Sequence, residues 1–90
     1  MKKTWTLQLS IDAEKNMENL DKPIRSRIFK FFHNRVLQST NPRQFGKPLS
    51  GDLLGLWSYR VGDYRVICDI QDHEFVILAV DVGHRREIYD

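Results

Sequence analysis

Trp5, Leu7 and Leu9 alternate with Thr4, Thr6, Gln8 and Ser10, the period of two that marks a strand with one buried face. Ser10 can then cap a helix over residues 11–20, with Asp12 and Glu14 suited to its positive first turn. Asp21 and Pro23 restart the pattern, because Asp caps helices and Pro fits the first helical turn. The second helix is predicted to run to about Gln38, with Ile24, Ile28, Phe31, Phe32, Arg35 and Val36 near one face and Phe29 widening it. Asn41-Pro42 ends the helical region. Residues 41–55, with Gly46, Pro48, Gly51 and Gly55, read as irregular chain. Three strands follow, at 56–61, 64–70 and 75–82. Gly62-Asp63 suits a type II′ hairpin between the first two. The last is apolar on both faces apart from Asp81, so it belongs inside the sheet.

The order β-α-α-β-β-β predicts an α+β fold in which two N-terminal helices cover one face of a small antiparallel sheet, since nothing else can bury that face. The first strand is expected at an edge. Ninety residues are expected to form one domain, 1–90, too small for a deep cavity, so a surface site is the natural expectation. Trp57, Tyr59 and Val61 share a strand face and are assigned to core, as are Phe29, Phe31 and Phe32.

Composition is ordinary for a folded chain, and no stretch approaches the ~20 apolar residues of a membrane span. No secretion signal is recognisable at the N-terminus, and Cys68 is alone and reads as a small buried hydrophobe, so a cytoplasmic location without membrane partners is expected. Net charge is only +2, but residues 1–40 carry +4 and residues 41–90 carry −2. Overall charge therefore does not announce a nucleic-acid partner.

Metal and cofactor chemistry find no pattern to rest on. His33, His73 and His84 are scattered, no Cys-x-x-Cys or phosphate-cradling glycine loop exists, and no cofactor or metal is expected. Asp63, Asp69, Asp72, Glu74 and Asp81 fall at turns or alternating strand positions, where Asp serves local hydrogen bonding. The cations of the second half are more suggestive. Arg60 and Arg65 flank the hairpin turn, His84, Arg85 and Arg86 end the last strand, and Tyr89 follows. Lys47 and Arg43 in the preceding loop can join them. Such a group suits RNA cleavage by the substrate's own 2′-hydroxyl. Arginines offer forked donors to phosphate oxygens, His titrates near neutrality, and Tyr can stack on a base. Solvated strand-end arginines are the plain alternative.

The stretch Gly46-Lys47-Pro48-Leu49-Ser50-Gly51-Asp52-Leu53-Leu54-Gly55-Leu56-Trp57-Ser58-Tyr59-Arg60-Val61-Gly62-Asp63-Tyr64-Arg65-Val66-Ile67 strongly resembles the RelE/ParE toxin superfamily. So do Val82-Gly83-His84-Arg85-Arg86-Glu87-Ile88-Tyr89 and the approach to Leu20-Asp21-Lys22-Pro23. The resemblance covers nearly the whole chain. It implies the same α+β fold and a RelE-type toxin of a type II toxin–antitoxin system: a metal-independent, ribosome-dependent endoribonuclease that cuts mRNA in the A site. It implies phosphate-stabilising roles for Arg65 and Arg85, a base-stacking or orienting role for Tyr89 and proton transfer for His84; Arg43, Lys47, Arg60 and Arg86, from the cation grouping itself, are expected to be RNA-binding. Its implied partners are a cognate antitoxin, mRNA at the ribosomal A site, and promoter DNA through the antitoxin complex. RelE-type members have two lysines spaced two apart before the hairpin, one of them acting as base. Those positions here hold Leu56 and Ser58, which leaves His84 as the substitute. The alternatives are a ParE-like DNA gyrase inhibitor, or an inactive member that only binds antitoxin.

Overall fold

The structure, a computed structural model, describes residues 4–84. Strand β1 (Thr6–Leu9) leads through Ser10 into helix α1 (Ile11–Glu18). The Ser10 hydroxyl accepts from Ala13 N at 3.1 Å, as its N-cap position requires, and donates to Val80 O at 3.1 Å. Helix α2 (Lys22–Phe31) starts with Pro23 in its first turn; Asp21 makes no side-chain cap bond. The helical path then widens into a π turn, Phe32–Val36, in which Leu37 N reaches Phe32 O at 2.9 Å. This is where the predicted continuous helix to Gln38 departs from the structure. The wider turn brings Leu37, five residues on, to the face of Phe32, so that Phe32, Val36 and Leu37 are all buried while Arg35 faces solvent rather than joining the apolar face.

A 3-10 turn (Pro42–Phe45) follows, then the short strand β2 (Lys47–Pro48). The sequence reads this segment as irregular because it carries Gly and Pro, yet Lys47 and Pro48 pair antiparallel with Ser58 and Trp57. Strands β3 (Trp57–Val61), β4 (Tyr64–Gln71) and β5 (Val76–His84) form the expected antiparallel meander. Gly62 has φ +61°, and Asp63 does not share its positive φ, in keeping with glycine at the first central position of a II′ turn. A register shift at Ile67/Cys68 opposes one extra residue, Val80, to β4.

The sheet order is β1-β5-β4-β3-β2. β1 lies at an edge and β5 inside, as predicted. β1 runs parallel to β5, however, so the sheet is mixed where a wholly antiparallel one was expected. The reason is chain economy: the two helices carry the chain from β1 to the far side of the sheet, and the meander returns β5 beside β1 in the same direction. No described helix is long and apolar enough to cross a membrane.

The core lies between the helices and one sheet face. It joins Ala13, Met17, Ile28, Phe32 and Val36 to Tyr59, Val61, Val66, Cys68, Ile70, Ile77, Ala79 and Val82. Tyr59 sits at its centre, fully buried, with its ring 5.2 Å from that of Phe32 and 6.3 Å from that of Phe31. Its hydroxyl donates to Pro42 O at 2.9 Å, and burial pushes its pKa up. Cys68 is buried in the same cluster; burial foremost, and the charge of Asp69 next, push its thiol up, so it is a packing residue rather than a nucleophile. Phe75, at φ +55°, takes the left-handed conformation unusual for a bulky residue. Its ring lies 5.2 Å from Trp5 and its carbonyl accepts from Thr6 N, which ties the turn before β5 to the start of β1.

Tyr59→Phe keeps the ring but strands the buried Pro42 carbonyl. It is expected to lower the unfolding free energy by about 1–3 kcal/mol. Urea unfolding should show this as a lower midpoint with an unchanged m value.

Candidate functional site: a cationic cavity on the open sheet face

The pleat of β3 sends Trp57, Tyr59 and Val61 toward the helices and Ser58 and Arg60 to the opposite face. On β4, Arg65 and Ile67 share that opposite face, because Arg60 pairs across the hairpin with Arg65 and Ser58 with Ile67. Val61 and Tyr64 flank the two-residue turn, so Arg60 and Arg65 form the next, non-hydrogen-bonded pair, whose side chains approach most closely. Like charges directly opposed across a sheet are destabilising unless partners nearby compensate them.

These arginines line a cavity of about 490 Å³ with Lys47, Ser58, Gln44, Ser50 and the backbone around Gly46. Three cations and no carboxylate line it among the described residues. Its far wall is built by close approach. Gly46 passes so near β3 that an added Cβ would stand 3.1 Å from Ser58 O and 3.2 Å from the Tyr59 ring. Lys47 then pairs directly opposite Ser58. The Arg60 side chain is exposed, and its Nε donates to Gly62 O at 3.2 Å.

His84 is not in this cavity. It pairs with Tyr64, whose face is the helix side, and the two rings meet edge to face at 5.3 Å. A second hollow of about 490 Å³ lies there, lined in part by Asn16, Asn19, Tyr64, Asp81 and His84. Asn16 donates to Asp81 at 2.7 Å in its wall. Arg65 and His84 therefore come to the same end of the sheet but to different faces.

Arg43 is also placed apart. It forms a two-pronged ion pair with Asp72 in the turn between β4 and β5, at 2.8 and 2.7 Å, and its guanidinium lies 5.7 Å from the Trp57 ring centre. The pair pins the turn carrying Arg43 to the far end of the sheet. The hydrogen bond to Arg43 and its positive charge hold the Asp72 carboxyl below its usual range. Arg85, Arg86 and Tyr89 lie outside the described residues. No group of three His, Cys, Asp or Glu side chains capable of holding a metal occurs among the described residues.

Of the sequence-predicted cations, the structure thus brings Lys47, Arg60 and Arg65 together. Gln44, Ser50 and Ser58 complete the lining without having been singled out. For Ser58 the alternation of β3 carried the needed information, since it shares a face with Arg60.

A two-helix layer on a mixed five-stranded sheet, with a cluster of cations on the face away from the helices, is the α+β architecture that the resemblance to RelE-like proteins implies. The comparisons agree. Residues 7–89 match the family model described as the ParE toxin of the type II toxin–antitoxin system parDE. Toxin RelE of Mycobacterium tuberculosis is 32% identical over 85 residues, covering 94% of this chain and 86% of that protein. Toxin RelG of the same organism is 29% identical, covering 94% and 95%. Among solved structures, a RelBE toxin–antitoxin complex of M. tuberculosis superposes with a TM-score of 0.83 at 26% identity, covering 94% of this chain and 95% of the other. The archaeal RelE–RelB complex of Pyrococcus horikoshii gives 0.69 at 26% identity, covering 94% and 99%. The chain belongs to the RelE/ParE superfamily of type II toxin–antitoxin toxins.

Both members of the Arg43–Asp72 pair are well exposed, so its contribution to stability is small, roughly 0–1 kcal/mol at neutral pH. Because the Asp72 pKa is lowered on folding, that contribution is present above the ordinary carboxylate range and lost as pH falls through the folded value. Arg43→Ala should therefore lower the urea midpoint slightly at pH 7, and the difference should vanish in acid. The check is a pair of unfolding curves at pH 7 and pH 2.

Proposed function

We propose that this protein is a RelE-type toxin that cleaves mRNA on the ribosome by attack of the RNA 2′-hydroxyl on the adjacent phosphate. The observation that carries the reading is the cavity with Lys47, Arg60 and Arg65 in its walls. In-line attack builds negative charge on the phosphorane oxygens. Fixed guanidinium donors opposed across a hairpin suit that charge, because they are aligned before the reaction begins. Arg65 is the principal phosphate ligand in this reading. Arg60 and Lys47 guide the backbone, and surface cations of this kind draw the strand in by long-range attraction. Proton transfer is assigned to His84 at the end of β5, in place of the lysine base for which this chain has Leu56 and Ser58. Its ring stands against Tyr64 on the helix face, so it acts on a 2′-hydroxyl beside Arg65 only after leaving that contact. Arg85 contributes a second phosphate contact and Tyr89 orients the base, as the resemblance implies. Arg43 takes a supporting role through Asp72, and Arg86 adds backbone attraction.

A cognate antitoxin is the natural protein partner, since the similar solved structures are RelE–RelB and RelBE complexes. It would silence the toxin by covering or displacing the segment from His84 to Asp90. Promoter DNA would be reached through that complex. A second reading, inhibition of DNA gyrase, is favoured by one observation: the family model that matches is described by its ParE members. A gyrase binder has no need of an opposed arginine pair lining a cavity with a third cation and no carboxylate among the described residues, which weighs against it.

Brief induction in cells, followed by primer-extension mapping of mRNA 5′ ends, tests the reading. New cuts within translated codons are expected. Arg65→Ala should reduce them about 10²- to 10³-fold, the scale for removing one transition-state donor. Growth arrest with DNA damage and unbroken mRNA would move the assignment to gyrase.

A further inference from the structure

Ser58, on the sheet face away from the helices, is buried at 5% exposure, and it is the one buried polar or charged residue among the described residues. Its Oγ exposes less than 1 Å² and has no hydrogen-bond partner among the described residues. Buried hydroxyls in folded proteins are nearly always bonded, and one left without a partner lowers stability unless something else satisfies it. The surroundings of Ser58 point to what that is. The residue stands in the cavity wall, directly opposite Lys47 and two positions from Arg60 on the same strand face. A serine hydroxyl turns between staggered wells about one bond and donates or accepts as needed. The Ser58 Oγ is covered as it stands, so an oxyanion entering between the cations meets it as a neutral donor once that rotation turns it toward the cavity.

We propose that Ser58 is a binding residue for the phosphate group in this cavity, its Oγ–H donating to a non-bridging oxygen that Arg60, Arg65 and Lys47 neutralise. The phosphate is that of an RNA backbone, and this identity rests on the RNA-cleaving reading; the hydrogen bond itself does not. The hydroxyl supplies directional donation without a fourth positive charge beside the opposed arginines.

The test is Ser58→Ala in the full chain, with inorganic phosphate as the probe. Backbone amide shifts locate and quantify binding, and thermal melting reports the fold. In the unmodified protein, phosphate should shift the amides of Ser58, Arg60 and Arg65. In the variant it should bind about tenfold more weakly. The melting temperature without phosphate should stay the same or rise, because an unsatisfied hydroxyl has been removed. A structural serine would instead lower it. Equal phosphate affinity in the variant, no shift at these amides in the unmodified protein, or a lowered melting temperature would each overturn the proposal. Since neither mRNA nor ribosome is present, the two readings separate. A phosphate effect in a protein that cuts no mRNA would leave Ser58 as a ligand and remove the nuclease. Cleaved mRNA with unchanged phosphate binding would do the reverse.

Discussion

The buried phenol of Tyr59 is the contact on which the rest of the structure depends. Its ring fills the centre of the core between Phe31 and Phe32, and its hydroxyl fixes the Pro42 carbonyl. That bond brings the chain after α2 across the end of β3, where Gly46 closes over the same ring. Lys47 can then pair with Ser58. Once Tyr59 is turned inward, the pleat leaves Ser58 and Arg60 no choice but the other face. One side-chain orientation therefore sets both the core and the wall of the cationic cavity.

Much of this was legible in the sequence. The alternation of Trp57, Tyr59 and Val61 against Ser58 and Arg60 gave the correct faces, and Gly62-Asp63 gave the hairpin that opposes Arg60 to Arg65. Ser10 as an N-cap was readable because capping is local chemistry. The features that escaped are those decided by distant partners. The parallel pairing of β1 with β5 depends on where the helices deliver the chain, which no periodicity encodes. Lys47–Pro48 pairs as a strand despite its Gly and Pro neighbours because β3 presents a free edge to it. The π turn after Phe31 brings Leu37 into the core beside Phe32, where the Leu37 carbonyl accepts from Trp5 N, a partner distant in sequence.

The site was legible by composition but not by geometry. Clustering of cations toward the ends of the last strands suggested a single group, yet register divides it. Tyr64 pairs with His84 on the helix side, and Arg65 stands on the other. Arg43, grouped with the others by nearness in sequence, is engaged by Asp72 nearly thirty residues away. In a sheet, a shift of one residue changes the face, so residues adjacent in sequence can serve different surfaces. A substrate that uses both Arg65 and His84 must reach around the end of β4 and β5. Because the 2′-hydroxyl attacks the phosphate next to it, both groups must converge on one nucleotide, which requires His84 to leave its contact with Tyr64.

Fold alone does not separate a nuclease from a gyrase poison in this superfamily; the chemistry of the products does. The most direct measurement is to incubate the purified protein with mRNA-programmed ribosomes and analyse the new 3′ ends. Attack by the 2′-hydroxyl predicts fragments ending in a 2′,3′-cyclic phosphate. Intact mRNA under these conditions, or fragments that carry only a free 3′-hydroxyl, would contradict the account.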